Sequence, residues 1–286
     1  MTLPLEERYF TLDDSSGEGG ALHARLTFPR GAEHAARPRP CLLALHGFKG
    51  FMDWGFWPEF ARRMAARGFA VLRFNFSGSG HADSEAFIAS EAFFSNTPSR
   101  EIDDLARVHA WLERDAPPWL DAGRVALVGH SLGGGVALVH AARHGGVSAV
   151  VGWAAVSTFR RFPPEVEALW RRQGYVEIPN LRTQEVHRLG LAWLEDLERH
   201  GDELDLRSAC ARLTAPTLFV HGSQDEAVPL VEGEALRDAC RPGKTQLAVL
   251  TGANHTFQVT HPMRGTSQAL EEAFRHTEDF LVTQLT

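Results

Sequence analysis

Residues 125–138, VALVGHSLGGGVAL, constrain this chain more than any other stretch. They pass from a β-branched apolar run, through a single serine flanked by glycines, into a second apolar run. Gly129-His130-Ser131-Leu132-Gly133 matches G-x-S-x-G. Alone, that pattern occurs by chance in many proteins. Between a strand and a helix it has a physical reason. A tight, strained turn brings backbone against both flanks of the serine, where side chains would clash, and lifts the hydroxyl above the sheet. The helix that follows aims its N-terminal N–H groups at the same place. Serine is a poor nucleophile at neutral pH, so Ser131 needs a base, and the base needs an orienting acid.

The rest of the chain supplies the sheet. Apolar strands are predicted at 41–45, 70–74, 124–128 and 149–152, alternating with helices at 57–67, 99–114 and 132–144. That rhythm predicts an α/β fold whose mostly parallel sheet is covered by helices on both faces. Before it, alternating stretches at 6–13 and 21–28, split by DSSGEGG, predict a hairpin, and 30–40 reads as a loop. The rhythm breaks from 158 to 207, where helical patches and a short strand pair near 175–178 and 183–188 predict a cap inserted over the sheet. It resumes with a strand at 217–221, a helix at 232–240, a strand at 246–250 and a helix at 267–284. The expected division is therefore a core of 1–157 and 208–286 and a cap of 158–207.

Acid and base are found beyond the late strands, where the ligand-facing loops of a parallel sheet emerge. LFVHGSQD places Asp225 just after one strand, and LTGANH places His255 just after the next. Glu226 is a rival for the acid. Asp103 and Asp104 sit in a first helical turn, where they complement the helix dipole, and are set aside. His46 and His221 precede glycines at strand ends and read as structural. His130 reads as a packing or hydrogen-bonding residue of the turn. His187 and His200 read as solvated, with His187 a candidate for reaching a substrate.

Four blocks in this order, LHGF at 45–48, GHSLGG at 129–134, HGSQDEAVP at 221–229 and GANHTF at 252–257, resemble an α/β-hydrolase from about Leu42 onward. The resemblance implies a catalytic triad of Ser131, Asp225 and His255, with the backbone N–H groups of Phe48 and Leu132 as the oxyanion hole. With the insertion and FNFSGSGHADS, the chain is similar to bacterial cinnamoyl and feruloyl esterases and to dienelactone-hydrolase-like enzymes. Its serine departs from the cysteine of true dienelactone hydrolases, which weighs against a lactone substrate.

The function expected is a serine esterase. It would cleave a small, medium, aryl or hydroxycinnamoyl ester through an acyl-enzyme, with a small-molecule partner and no cofactor or metal. A thioesterase or lysophospholipase-like acyl hydrolase is the alternative within enzymes, and a non-catalytic ligand-binding homologue the alternative outside them. For the substrate pocket, Phe87, Phe93 and Phe94 of HADSEAFIASEAFFSN, with Trp153, Phe159 and Trp170, are candidates for an apolar wall. The competing reading is that they tie their segments to the core.

Composition narrows the partners. With 29 basic and 36 acidic residues, a net charge of -7 and no cationic block, nucleic acid and anionic membrane are not expected. Cys41, Cys210 and Cys240 have no metal-like spacing and read as buried free thiols. No basic-then-apolar leader opens the sequence and no apolar run approaches a membrane span, so a cytoplasmic location is expected. Oligomeric state is left open, a homodimer being one option.

Overall fold

The structure, a computed structural model, describes residues 4–13, 20–82, 89–180 and 183–286. The chain opens with strands β1 (Leu5–Leu12) and β2 (Leu22–Pro29), the hairpin expected from the sequence. Then follow β3 (Arg39–Leu45), α1 (Trp57–Ala66), β4 (Ala70–Phe74), α2 (Ser90–Phe94), α3 (Pro98–Arg114), β5 (Leu120–His130), α4 (Leu132–His144) and β6 (Ala149–Trp153). The next segment holds α5 (Pro164–Gln173), an antiparallel pair β7 (Tyr175–Asn180) and β8 (Glu185–Gly190), α6 (Ala192–Arg199) and α7 (Leu206–Arg212). β9 (Thr217–Gly222), α8 (Leu230–Ala239), β10 (Thr245–Leu250) and α9 (Gln268–Leu285) complete the fold.

Among the described residues, eight strands form the main sheet in the order β1-β2-β4-β3-β5-β6-β9-β10. From β4 to β10 every pairing is parallel, and β2 alone of the eight runs against that direction, antiparallel to both β1 and β4. This is the expected α/β-hydrolase fold. The central strands are buried along nearly their whole length because helices cover both faces.

Alternation along each strand sorts its side chains between two cores. Leu43, Leu45, Leu72, Leu127 and Phe219 face α3, α4, α7 and α8. Leu42, Ala44, Val71, Val128 and Val220 face α1 and α9. α1 answers with Trp57, Phe60, Ala61, Met64 and Ala65, a one-sided stripe at helical spacing. Each such large side chain, fully buried, contributes about 1.5–3 kcal/mol. Helix starts are also locally specified: Thr97 accepts from the Arg100 N–H, and Ser267 from the Leu270 N–H.

The segment between β6 and β9 is anchored at several points. Trp170 is fully buried with its ring against Phe162, and the Ser99 N–H donates to Asp196 of α6 at 2.9 Å. The β7–β8 pair is held to the loop after β3 by Lys49, whose Nζ donates to the Pro179 carbonyl at 2.9 Å. All three cysteines are buried and free. Among the described residues, no helix is long and apolar enough to cross a membrane.

Candidate active site

Ser131 stands alone between the last residue of β5 and the first of α4, with φ 55° and ψ -117°. Such a conformation costs on the order of 1–3 kcal/mol and persists only where its surroundings over-determine it. They do so here. The Ser131 N–H donates to the Trp153 carbonyl at 2.8 Å, and the Ser131 carbonyl accepts from Gly134, Val156 and Gly135 at 3.0, 3.2 and 3.3 Å. The glycines are needed for close approach. A Cβ on Gly129 would lie 2.2 Å from the Gly133 carbonyl oxygen, and one on Gly133 2.4 Å from that of His46.

The position follows from topology. β3 leads to β4 on one side, while β5 and β6 lie on the other, so the sheet changes winding direction between β3 and β5. Ligand crevices form at such a switch point, at the carboxyl ends of the strands.

Asp225 follows β9 and His255 follows β10, neighbouring parallel strands that deliver both residues to the same edge. His255 Nδ1 donates to Asp225 Oδ2 at 2.8 Å, which leaves Nε2 of a neutral ring free to accept a proton. Asp225 Oδ1 accepts from the Ala227 and Val228 N–H groups at 3.0 and 2.8 Å. Burial works to raise the Asp225 pKa. The hydrogen bond and charge of His255, with the Val228 N–H and the His221 charge, outweigh it and hold the carboxyl below its ordinary value. Ser131 and His255 line one cavity.

Two further histidines surround this pair. His130 donates from Nε2 to the His255 carbonyl at 2.9 Å, and burial, reinforced by the His255 charge, pushes its pKa down to about 3. His221 is fully buried, donates to the Val228 carbonyl at 2.8 Å and has its pKa lowered, chiefly by burial.

The Gly47–Phe48 peptide is clamped from its carbonyl side. His46 Nδ1 and the Gly50 N–H both donate to the Gly47 carbonyl at 2.9 Å, and the Phe76 N–H donates to His46 Nε2 at 3.3 Å. Burial takes the His46 pKa down to about 4, so the ring is neutral in the form that both bonds require. In a planar trans peptide the N–H points opposite to the C=O, so the clamp turns the Phe48 N–H away from His46. Phe48 lines the cavity. Leu132 opens α4, where an N–H has no acceptor within the helix.

The cavity has a volume of about 480 Å³. Phe48, Trp54, Trp57 and Val259 form its apolar wall, and Lys49, Asn180, Thr256, Thr260 and His261 its polar side. The aromatic residues expected as a wall lie elsewhere. Trp153 stacks on Trp57 at 5.5 Å and donates from Nε1 to Thr277 at 2.8 Å, inside the core against α9. Phe93 is buried between Phe48 and His187, Phe94 covers Gly190, Phe159 packs over Gly135, and Trp170 is enclosed with Phe162. Phe87 lies outside the described residues. None of the other five lines the cavity, because each ring is taken up in joining two elements of the fold. His187 is likewise buried rather than solvated.

Of the residues set aside, Glu226 is exposed and Asp104 is buried on α3, accepting the Ser77 N–H at 2.7 Å. The lining residues Lys49, Trp54, Val259, Thr260 and His261 went unread in the sequence. Their signal was position: they lie in the loops that directly follow LHGF and GANHTF, on the same sheet edge as the serine.

The family model described as "Alpha/beta hydrolase family" matches residues 42–269. Among curated proteins, the chain is 23% identical over 251 residues to the uncharacterized 31.7 kDa protein in the traX-finO intergenic region of Escherichia coli, covering 76% of this chain and 83% of that one. Among solved structures, the esterase domain of a Rhodothermus marinus protein superposes with a TM-score of 0.66 at 20% identity, covering 98% of this chain and 100% of that domain. Est1E from Butyrivibrio proteoclasticus with ferulic acid bound gives a TM-score of 0.70 at 19% identity, covering 97% and 98%.

Proposed function

This chain belongs to the alpha/beta hydrolase family, and on that premise we propose that it hydrolyses carboxylic esters through an acyl-enzyme on Ser131. The observation that carries the reading is the convergence of a strained serine and the His255–Asp225 pair on one cavity. His255 Nε2 takes the Ser131 proton as Oγ attacks the ester carbonyl. Asp225 keeps the ring in the tautomer that can do so and stabilises the imidazolium.

The tetrahedral oxyanion is met by the N–H groups of Phe48 and Leu132, each worth about 3 kcal/mol in comparable sites. His255 then returns its proton to the leaving alcohol. Water, deprotonated by the same ring, releases the acid and regenerates Ser131.

Support for an aryl or medium acyl substrate comes from the Phe48, Trp54, Trp57 and Val259 wall, and the cavity volume falls in the range of small-molecule sites. Ferulic acid bound to Est1E, which shares the fold, is in keeping with an aryl acid.

The test is a panel of p-nitrophenyl esters of increasing acyl length, together with methyl hydroxycinnamates. Ser131→Ala serves as the blank, alongside labelling by a fluorophosphonate. Turnover and labelling that both vanish in Ser131→Ala are expected. Turnover that survives the substitution would refute the mechanism.

A further inference from the structure

Among the described residues lining the cavity beside Ser131, Lys49 carries a charge that ester hydrolysis does not use. Lys49 immediately follows Phe48, sits at φ 59° and is partly buried in the cavity lining. An ammonium has three donors, and the Pro179 carbonyl of β7 takes one of them. Loss of water pushes the Lys49 pKa down, and no carboxylate of the described residues counters that shift. Among the described residues that line the cavity none is an acid, and the Asp225 carboxyl is enclosed behind His255.

A cation stripped of part of its hydration, with no counterion among the described residues, gains from a ligand that supplies an anionic partner. The whole chain carries -7, so it offers an anion no long-range attraction, and any preference for one has to arise at short range. Beside the ammonium stands an apolar wall of Phe48, Trp54 and Trp57.

We infer that Lys49 determines specificity by pairing with a carboxylate on the substrate, so that the preferred esters have an apolar body and an acidic end. This rests on the hydrolase reading of Ser131. The acid can be carried on the acyl side or on the leaving alcohol, and both deliver the same group to the same ammonium.

The experiment compares matched esters. Mono-p-nitrophenyl adipate against p-nitrophenyl hexanoate places the acid on the acyl side. The p-hexanoyloxybenzoate anion against phenyl hexanoate places it on the leaving group. Rates with Ser131→Ala are subtracted throughout. In at least one pair, kcat/KM favours the acidic ester. Lys49→Met lowers that preference about tenfold or more relative to the neutral partner, mainly through KM, as expected for one hydrogen bond to a charged group. Lys49→Arg retains most of it. In the unaltered protein the preference also shrinks as salt is added, a readout that needs no variant.

Absence of preference in both pairs overturns the inference, as does an equal loss on both members of a pair in Lys49→Met. If the neutral esters too show no Ser131-dependent turnover, the hydrolase reading itself fails and the inference falls with it.

Discussion

The rings of His130 and His255 stand 4.7 Å apart, and the His130 Nε2–H donates to the His255 carbonyl at 2.9 Å. The residue before the proposed nucleophile thus holds the backbone of the proposed base. Because burial takes its pKa down to about 3, His130 does this as a neutral ring and puts no positive charge beside His255. His130→Phe is expected to keep the fold and lower kcat about ten- to a hundredfold, since a small misplacement of a general base is costly. Steady-state kinetics with a Tm measurement check it. Wild-type kcat in a folded variant would show the contact to be idle.

His46 acts one peptide away from the proposed oxyanion site. His46→Ala frees the Gly47 carbonyl from its side-chain donor, and kcat is expected to fall about a hundredfold with little change in KM. Fluorophosphonate labelling, whose phosphoryl oxygen uses the same N–H groups, should slow in parallel. A purely structural histidine would lower Tm and leave both rates of the folded fraction untouched.

Three buried histidines make the fold sensitive to acid. His46, His130 and His140 have pKa values lowered from 6.5 to about 4, 3 and 3, with burial the main cause in each. The unfolded chain binds these protons as pH drops below 6.5, whereas the native state does not. Stability is therefore full above that value and is lost as pH falls toward the folded values. At about pH 5 each costs on the order of 2 kcal/mol. Urea unfolding at several pH values should show this slope, and His140→Gln, far from Ser131, should reduce it by about one proton. An unchanged slope would contradict the assignment.

Trp153 and Trp54 should behave differently. Trp153, enclosed by Phe56, Trp57, Phe60 and Phe274, is expected to cost about 3–5 kcal/mol as Trp153→Ala. Trp54→Ala, on the cavity wall, should cost less stability and instead raise KM. Denaturant midpoints set against KM for the two variants separate a core ring from a ligand-facing one. Similar KM changes in both would place Trp153 at the ligand after all.

Much of the fold was legible because the signals were local. A helix expected at 57–67 spans Trp57–Ala66, and a strand expected at 217–221 spans Thr217–Gly222. Apolar spacing and glycine positions act over one or two turns and need no tertiary knowledge. Ser131, Asp225 and His255 could be grouped for a related reason: parallel strands bring their carboxyl ends to one edge, so residues just past three strands become neighbours. The cavity wall was harder. An aromatic residue lowers free energy equally by filling a core or walling a pocket, and Phe93, Trp153, Phe159 and Trp170 do the former. Residue type alone could not separate the two. The helices at Pro164–Gln173 and Ala192–Arg199 were readable only as helical patches, since they pack through scattered anchors such as Trp170, Trp193 and Asp196.

The carboxylate of Asp225 takes its aim from the path of the chain. Both donors to Oδ1 are main-chain groups, and nineteen of the twenty amino acids bring such a donor with them; proline alone does not. The exposed Ala227 can therefore be exchanged for almost anything, and the buried Val228 for other apolar residues, without turning the acid away from His255. Neutral drift can rewrite the neighbours of Asp225 while its orientation is handed down unchanged. A proline arriving at either place would be the substitution that selection notices.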